Sequence, residues 1–226
     1  MKISVLIPGY FPVPEYFALI AASDRVILLD DVSLPRKSYA YRMKICAGNE
    51  AEWLSVSLKR GNRSGELIRD KKIDYEINWK KHQLKRMYHV YRRCLYFDEV
   101  YPMFEELLAR EWKYLFEMDY KIIRTISEGI QIPHDIVKSS GLGIPLNEPD
   151  RYVKLIRSAG GETLLVGMEL KNFLKEKQIT KHGISVDYFD FTHPVYRQEN
   201  TIKFTPGLSI LDALFNCGKQ ETHFLL

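Results

Sequence analysis

Residues 2–7 read "KISVLI" and residues 25–29 read "RVILL"; in both, apolar positions follow one another instead of alternating with polar ones. Short continuous apolar runs predict strands buried on both faces, as in a parallel sheet covered by helices. Between them, "VPEYFALIAASD" is apolar almost all round and predicts a buried helix. Pro12 or Pro14 falls in its first turn, where a missing N–H costs nothing. Strand, helix, strand is a βαβ unit, which implies a parallel sheet with right-handed crossovers.

Residues 33–50 form a basic, irregular stretch with Arg36, Lys37, Arg42 and Lys44. "EWLSVSL" (52–58) alternates well enough for a strand, and "KRGNRSGELIRDKK" reads as a polar loop punctuated by Gly61 and Gly65. The period then becomes helical three times, over roughly 79–94, 98–111 and 113–129. "HDIVKSS" and "ETLLVG" predict strands flanking a helix at 149–159, "ISVDYFDF" predicts another strand, and "LSILDALFNCG" predicts a helix stopped by Gly218. The order points to one α/β domain over 1–226. Its Rossmann-like parallel sheet would carry a helical insertion or lid at about 79–129.

Composition narrows this only slightly. The chain has 226 residues, 46% of them hydrophobic and 27% charged, as in an ordinary globular protein. A net charge of +4 is too small to argue for a nucleic-acid partner by itself. Cys46, Cys94 and Cys217 are odd in number and far apart, which predicts buried thiols in a reducing cytosol. The first apolar stretch is too short for a signal peptide, and no run approaches the ~20 apolar residues of a membrane span. A cytoplasmic location is the expectation.

Ligands of open parallel sheets sit beyond the carboxyl ends of the strands. "IPGYFPVPEYF" (7–17) and the pair Asp30–Asp31 both fall at such ends. Either aspartate could orient a ribose hydroxyl or hold a magnesium ion; the bland alternative is one capping a turn and the other solvated. Neither G-x-G-x-x-G nor a Walker loop is present, since the first loop holds only Gly9. In that loop Tyr10 and Tyr16 could present hydroxyls beside Asp30 and Asp31, with Phe11 and Phe17 in the core. On the first central helix, Leu84, Met87, Tyr88, Tyr91 and Leu95 are spaced as a core stripe. His82, Arg86, His89 and Arg93 share the other face, which is either solvated or meets phosphates.

"PRKSYAYR" offers Arg36 and Arg42 for bidentate recognition of phosphate, with Tyr39 and Tyr41 for stacking. Asp212 sits at the edge of an apolar stripe, so it needs a donor, either a structural Arg or a substrate group. Ser209 is placed to cap that helix. The six histidines show no useful metal spacing, and no catalytic triad order stands out, so neither metal nor cofactor is named by the sequence.

Taken together, "PGYFPVPEYF", "DDV" (30–32), Arg42, "EWLSVSL", "WKKH" (79–82), "YFDEV" (96–100), "YRQ" (196–198) and "LSILDALFNCG" (208–218) resemble the WbqC-like family of bacterial proteins. These pieces run nearly end to end, and His82 matches a family histidine. The resemblance implies an association with O-antigen and other surface-polysaccharide biosynthesis, with a glycyl or aminoacyl transferase role suggested. The chain departs from the usual pattern at Ile7, at Glu15 and over "GMELKNFL" (167–174). The opening stretch alone also resembles the start of a nucleotidylyltransferase (HUP-like) fold. That fold's His-x-Gly-His element is missing here, and Tyr16 falls near the place of its last histidine.

Two functional expectations follow. One is a transferase acting on a sugar or nucleotide-sugar, with His82 as base, Asp30 or Asp31 orienting hydroxyls or metal, and Arg36, Arg42 and Arg86 binding phosphates. In that reading Gly9, Tyr10, Tyr16 and Asp212 also line the substrate site. The other is a non-catalytic protein that binds a nucleotide or polyanion through the basic helix. Nucleic acid is the less favoured partner, and the oligomeric state is not fixed by the sequence.

Overall fold

Five parallel strands are ordered β5-β2-β1-β6-β7 in a computed structural model that describes residues 1–60, 65–133, 135–199 and 201–226. Gly61 and His134 therefore lie outside the described residues. The strands are β1 (Lys2–Leu6), β2 (Arg25–Leu28), β5 (Ile136–Lys138), β6 (Thr163–Gly167) and β7 (Ser185–Phe189). Alternate residues of β2 serve opposite faces, as a doubly covered strand requires. Val26 and Leu28 pack with α1 (Pro14–Ala21), α2 (Trp79–Tyr91), α3 (Phe97–Ala109), α4 (Leu115–Gly129) and α7 (Ile210–Phe224). Ile27 and Leu29 pack with α5 (Arg151–Ser158) and α6 (Glu176–Thr180). This is an open α/β fold, and the three central helices follow their predicted spans closely.

The order of the strands fixes where the sheet divides. From β1 the chain steps to β2 and then to β5 on one side; it then returns across the sheet to β6 and continues to β7 on the other. The first steps pass through α1 and the central helices on one face, the later ones through α5 and α6 on the opposite face. Chain leaving β1 and chain leaving β6 therefore part to opposite sides, and the gap between them at the carboxyl edge is the crevice where ligands of such sheets sit.

Several expectations are corrected. The stretch after residue 33 contains a strand, β3 (Arg42–Ala47), in which Met43 and Ile45 point to the core while Arg42 and Lys44 alternate with them. It pairs antiparallel with β4 (Glu50–Ser55) in a hairpin outside the parallel sheet. The buried stripe of α2 is Trp79, Gln83, Met87 and Tyr91. Tyr88 is 44% exposed, because the i+4 row beginning at Trp79, rather than the row through Tyr88, faces the core; Leu95, 83% exposed, lies beyond the end of the helix at Tyr91. Gly218 does interrupt the last helix, at φ 75° and ψ 174°, but a second helical segment continues to Phe224. Cys46 and Cys94 are buried as expected, whereas Cys217 is only partly so; all three are free.

Candidate functional site

The two aspartates after β2 are buried and already occupied. Asp30 accepts hydrogen bonds from the Ser140 backbone N–H (2.9 Å), from Ser140 Oγ (2.6 Å) and from Ser139 Oγ (3.0 Å). Asp31 accepts from Arg151 Nη2 (2.7 Å) and competes with Asp30 for the single Ser139 hydroxyl proton. These bonds tie the end of β2 to the 3-10 turn Ser139–Leu142 after β5 and to the start of α5. The pair is thus placed as a clasp between crossovers, with its oxygens turned toward protein donors.

The first βα turn is likewise directed inward. Gly9, Tyr10 and Phe11 are buried, and the Tyr10 N–H donates to the Tyr39 carbonyl (2.9 Å). The Tyr10 hydroxyl does not meet the aspartates; it donates to Gln83 Oε1 (2.7 Å), whose Nε2 donates to the Ser55 carbonyl (2.9 Å). Tyr16, in the first turn of α1, has a buried hydroxyl without a hydrogen-bond partner. Phe11 and Phe17 lie in the core, as expected.

The cations spread over separate surfaces. Arg42 stacks on Trp53 at 4.0 Å from the ring centre and donates to the Lys37 carbonyl. Arg86 forms a two-pronged contact with Glu52 (2.6 and 2.9 Å). Arg36 stays exposed beside a shallow groove lined by Leu34, Tyr41 and Val56. His82 is exposed on α2, and among the described residues no hydrogen bond or ion pair joins it to Asp30 or Asp31. His89, Arg92 and Arg93 line a groove of about 330 Å³ against Cys46–Gly48.

Asp212 is buried without an arginine. Its carboxylate accepts from the Tyr91 hydroxyl, the Tyr196 hydroxyl and Gln198 Nε2, each at 2.9 Å. Burial raises its pKa, while these three donors and nearby His193 oppose the rise. The donors are neutral and belong to the chain itself, so Asp212 pins the extended segment carrying Tyr196 and Gln198 onto α7. Ser209 caps that helix by accepting from the Leu211 N–H (3.2 Å).

At the crevice between β1 and β6, two residues meet that sequence reasoning passed over as site candidates. Glu15, at the start of α1, shares a hydrogen bond with Glu169, which follows β6. Burial first, and the Glu169 charge second, push the Glu15 carboxyl up to about 7. Gly167 makes room for this: a Cβ there would stand 2.2 Å from Glu169 Oε2. A carboxyl pair holding one proton near neutrality can accept a proton from a nucleophile and return it to a leaving group. The available signal was positional, since Glu15 and the segment 167–174 are both places where the chain departs from the pattern it resembles.

A larger cleft, of about 850 Å³, opens between the end of α4 and the second half of α7. Its reactive side chains are engaged or quiet. His223 Nδ1 bonds the Ile130 carbonyl, Lys219 pairs with Glu99, and burial pushes the Cys217 thiol up to about 11.

The WbqC-like protein family model matches residues 8–224. The chain belongs to this family. Within its relatives, an uncharacterised protein of Mycobacterium tuberculosis, Rv1507c, is 23% identical over 227 residues, spanning 99% of this chain and 97% of that protein. No solved structure matches. The match takes in the crevice, the aspartate clasp and the Asp212 hub, so this WbqC-like chain carries all three within the family's span. No helix among the described residues is long and apolar enough to cross a membrane.

Proposed function

We propose that this WbqC-like chain is a transferase that moves an acyl or aminoacyl group onto a sugar or nucleotide-sugar bound in the β1–β6 crevice. The observation that carries the reading is the Glu15–Glu169 pair, one carboxyl held near neutrality at the point where the sheet divides. In the step, an acceptor amine or hydroxyl attacks the acyl carbonyl of the donor. The pair takes the acceptor's proton as the new C–N or C–O bond forms. The bond from the acyl carbon to its leaving group then breaks, and the leaving group receives the proton. Arg36, exposed at the rim of the neighbouring loop, is free to meet a phosphate, whereas Arg42 and Arg86 would first have to leave their present partners. His82, exposed on α2, is the second candidate for the base. The family's association with surface-polysaccharide clusters agrees with a sugar acceptor.

The test is a mass-spectrometric screen of acyl donors against sugar and nucleotide-sugar acceptors for an acylated product. Glu15→Gln is expected to lower turnover by about a hundredfold or more while leaving ligand-induced thermal stabilisation in place. Equal turnover in Glu15→Gln, with loss in His82→Ala, would overturn the assignment to the crevice.

A second reading rests on the groove bounded by His89, Arg92 and Arg93, which sets two exposed guanidinium groups at the end of α2. It makes the protein a polyanion binder without turnover. Binding would then weaken steeply with salt and with charge reversal at Arg93.

A further inference from the structure

The outer face of the β3–β4 hairpin carries aromatic and cationic surface that the core does not use. Met43, Ile45 and Leu54 are buried on its inner face, so Arg42, Lys44 and Trp53 share the other, with Lys44 directly across from Trp53. Trp53 is 37% exposed, and Tyr39, just before β3, is 46% exposed. Their ring centres lie 5.2 Å apart with the planes at 58°. The Arg42 guanidinium stands 4.0 Å from the centre of the Trp53 ring, and Lys44 Nζ stands 5.1 Å from it. Two large rings in contact and left in water are surface that a stacked ligand would cover favourably.

This platform is held by the chain around it. Ser38 Oγ accepts from the Ala40 N–H (3.1 Å) and starts the turn that carries Tyr39. The Tyr39 carbonyl accepts from the Tyr10 N–H (2.9 Å), which anchors the turn to the segment leaving β1 at the carboxyl edge of the sheet. Arg42 also donates to the Lys37 carbonyl, and the Lys37 N–H donates to the Tyr41 hydroxyl (2.9 Å). These two bonds hold Lys37 at φ 54°, a left-handed conformation that a lysine adopts only at a cost. Tyr41 in turn lines a groove of about 450 Å³ together with Arg36 and Ser57. Contacts therefore run without a break from Trp53 through Arg42, Lys37 and Tyr41 to that groove. Among the described residues no ion pair engages Arg36, Lys37 or Lys44, and Glu52 of β4 is taken by Arg86.

We infer that this surface binds a nucleotide, with the base stacked on the Tyr39 and Trp53 rings and the phosphates met by Arg36 and Lys37 at the groove. Every base has a flat π-face, so exposed rings hold it without reading its identity. Arginine meets phosphate with two parallel N–H groups, and Arg36 is exposed and unpaired among the described residues. A neutral sugar would leave the three free cations unanswered. A nucleic-acid polymer asks for a longer basic track than three side chains provide. Arg42 keeps both its partners, as the fixed support beside Trp53, so binding breaks no contact. The inference deepens the crevice reading by naming the nucleotide half of its ligand, and it rests on that reading only for the sugar half.

The test is titration of the full chain with UDP and ADP, read by tryptophan fluorescence and amide NMR, beside pyrophosphate and oligouridylate. Trp53 is the most exposed of the three tryptophans, so a base stacked on it should quench emission saturably, and Trp53→Phe should remove the quenching. Amide shifts are expected over 36–42 and 53–57. Tyr39→Ala and Arg36→Gln, both at exposed side chains, should each weaken UDP binding about tenfold. No saturable response to either nucleotide would overturn the inference. Pyrophosphate bound as tightly as UDP would overturn the stacking, and oligouridylate bound far more tightly than UDP would make the surface one for single-stranded RNA. UDP carries neither sugar nor acyl group, so the two readings fail separately. Normal UDP binding without any acylated product refutes the crevice alone, and product formed with an unchanged KM in Tyr39→Ala refutes the platform alone.

Discussion

Asp119 and Asp212 are both buried aspartates of the helical layer, yet their chemistry differs because one has donors and the other has none. For Asp119 the folded pKa lies above the unfolded one. The folded state is favoured most below the ordinary carboxyl range near ~4, and it loses stability as pH rises from there toward the raised value. Asp119→Asn removes the ionisation. It is expected to match the native chain near pH 4 and to exceed it at pH 8 by about 1–3 kcal/mol, some 3–10 °C at this chain length. Thermal unfolding across that pH range checks it; equal slopes for both proteins would contradict the upward shift. Asp212→Asn should instead destabilise by about 2–4 kcal/mol, because a new N–H would confront donors already aimed at the carboxylate. Denaturant unfolding reads that cost. The sequence pointed to Asp212 as buried and in need of a donor, but the donors sit 121, 16 and 14 residues away, and only folding brings them in.

At the level of elements, the Asp31–Arg151 pair joins the end of β2 to α5 with both side chains more than nine-tenths buried. Arg151→Met leaves Asp31 buried and uncompensated, at a cost of about 3–5 kcal/mol. The double variant with Asp31→Leu is expected to recover a large part of that loss. Urea unfolding of the single and double variants decides, and strictly additive losses would contradict the pairing. Gly218 is the second elemental device. Its φ of 75° and a would-be Cβ only 2.6 Å from the Tyr96 ring exclude any side chain. Gly218→Ala should cost about 3 kcal/mol or more, read by the same unfolding curve.

These elements also show what was legible. Continuous apolar runs announced β1, β2 and β6, and period announced α2, α3 and α4 within a few residues. β3 was missed although Met43 and Ile45 alternate with Arg42 and Lys44, because the basic composition masked the period of two. Leu95 was counted on α2 although the helix ends at Tyr91, and the outward placement of Tyr88 was missed for a further reason. Two apolar rows coexist on α2, and only the packing of its neighbours chooses between them.

Across the whole molecule, the proposed ligand site depends on strand order, which no local pattern encodes. The sequence correctly placed β1 beside β2, and therefore drew attention to Tyr10, Asp30 and Asp31 at their common edge. The dividing point of the sheet lies on the other side of β1, against β6, where Glu15 and Glu169 meet. Glu15 gives this region a pH signature. Its folded pKa of about 7 exceeds its ordinary value of 4.5, so the associated stability is fully present below ~4.5 and is lost as pH rises through 7. Carboxyl-carbon NMR should show Glu15 titrating about 7. Glu169→Gln should lower that value only in part, since burial is the larger cause.

Amide NMR mapping of UDP-glucose and UDP-galactose binding, with and without an acyl donor, shows where a nucleotide-sugar sits. Saturable shifts are expected at residues 7–15 and 167–173, on the two lips of the crevice, with α2 largely silent. Shifts concentrated on Lys81, Lys85, His89 and Arg93 and abolished by salt, with the crevice unmoved, would contradict that placement.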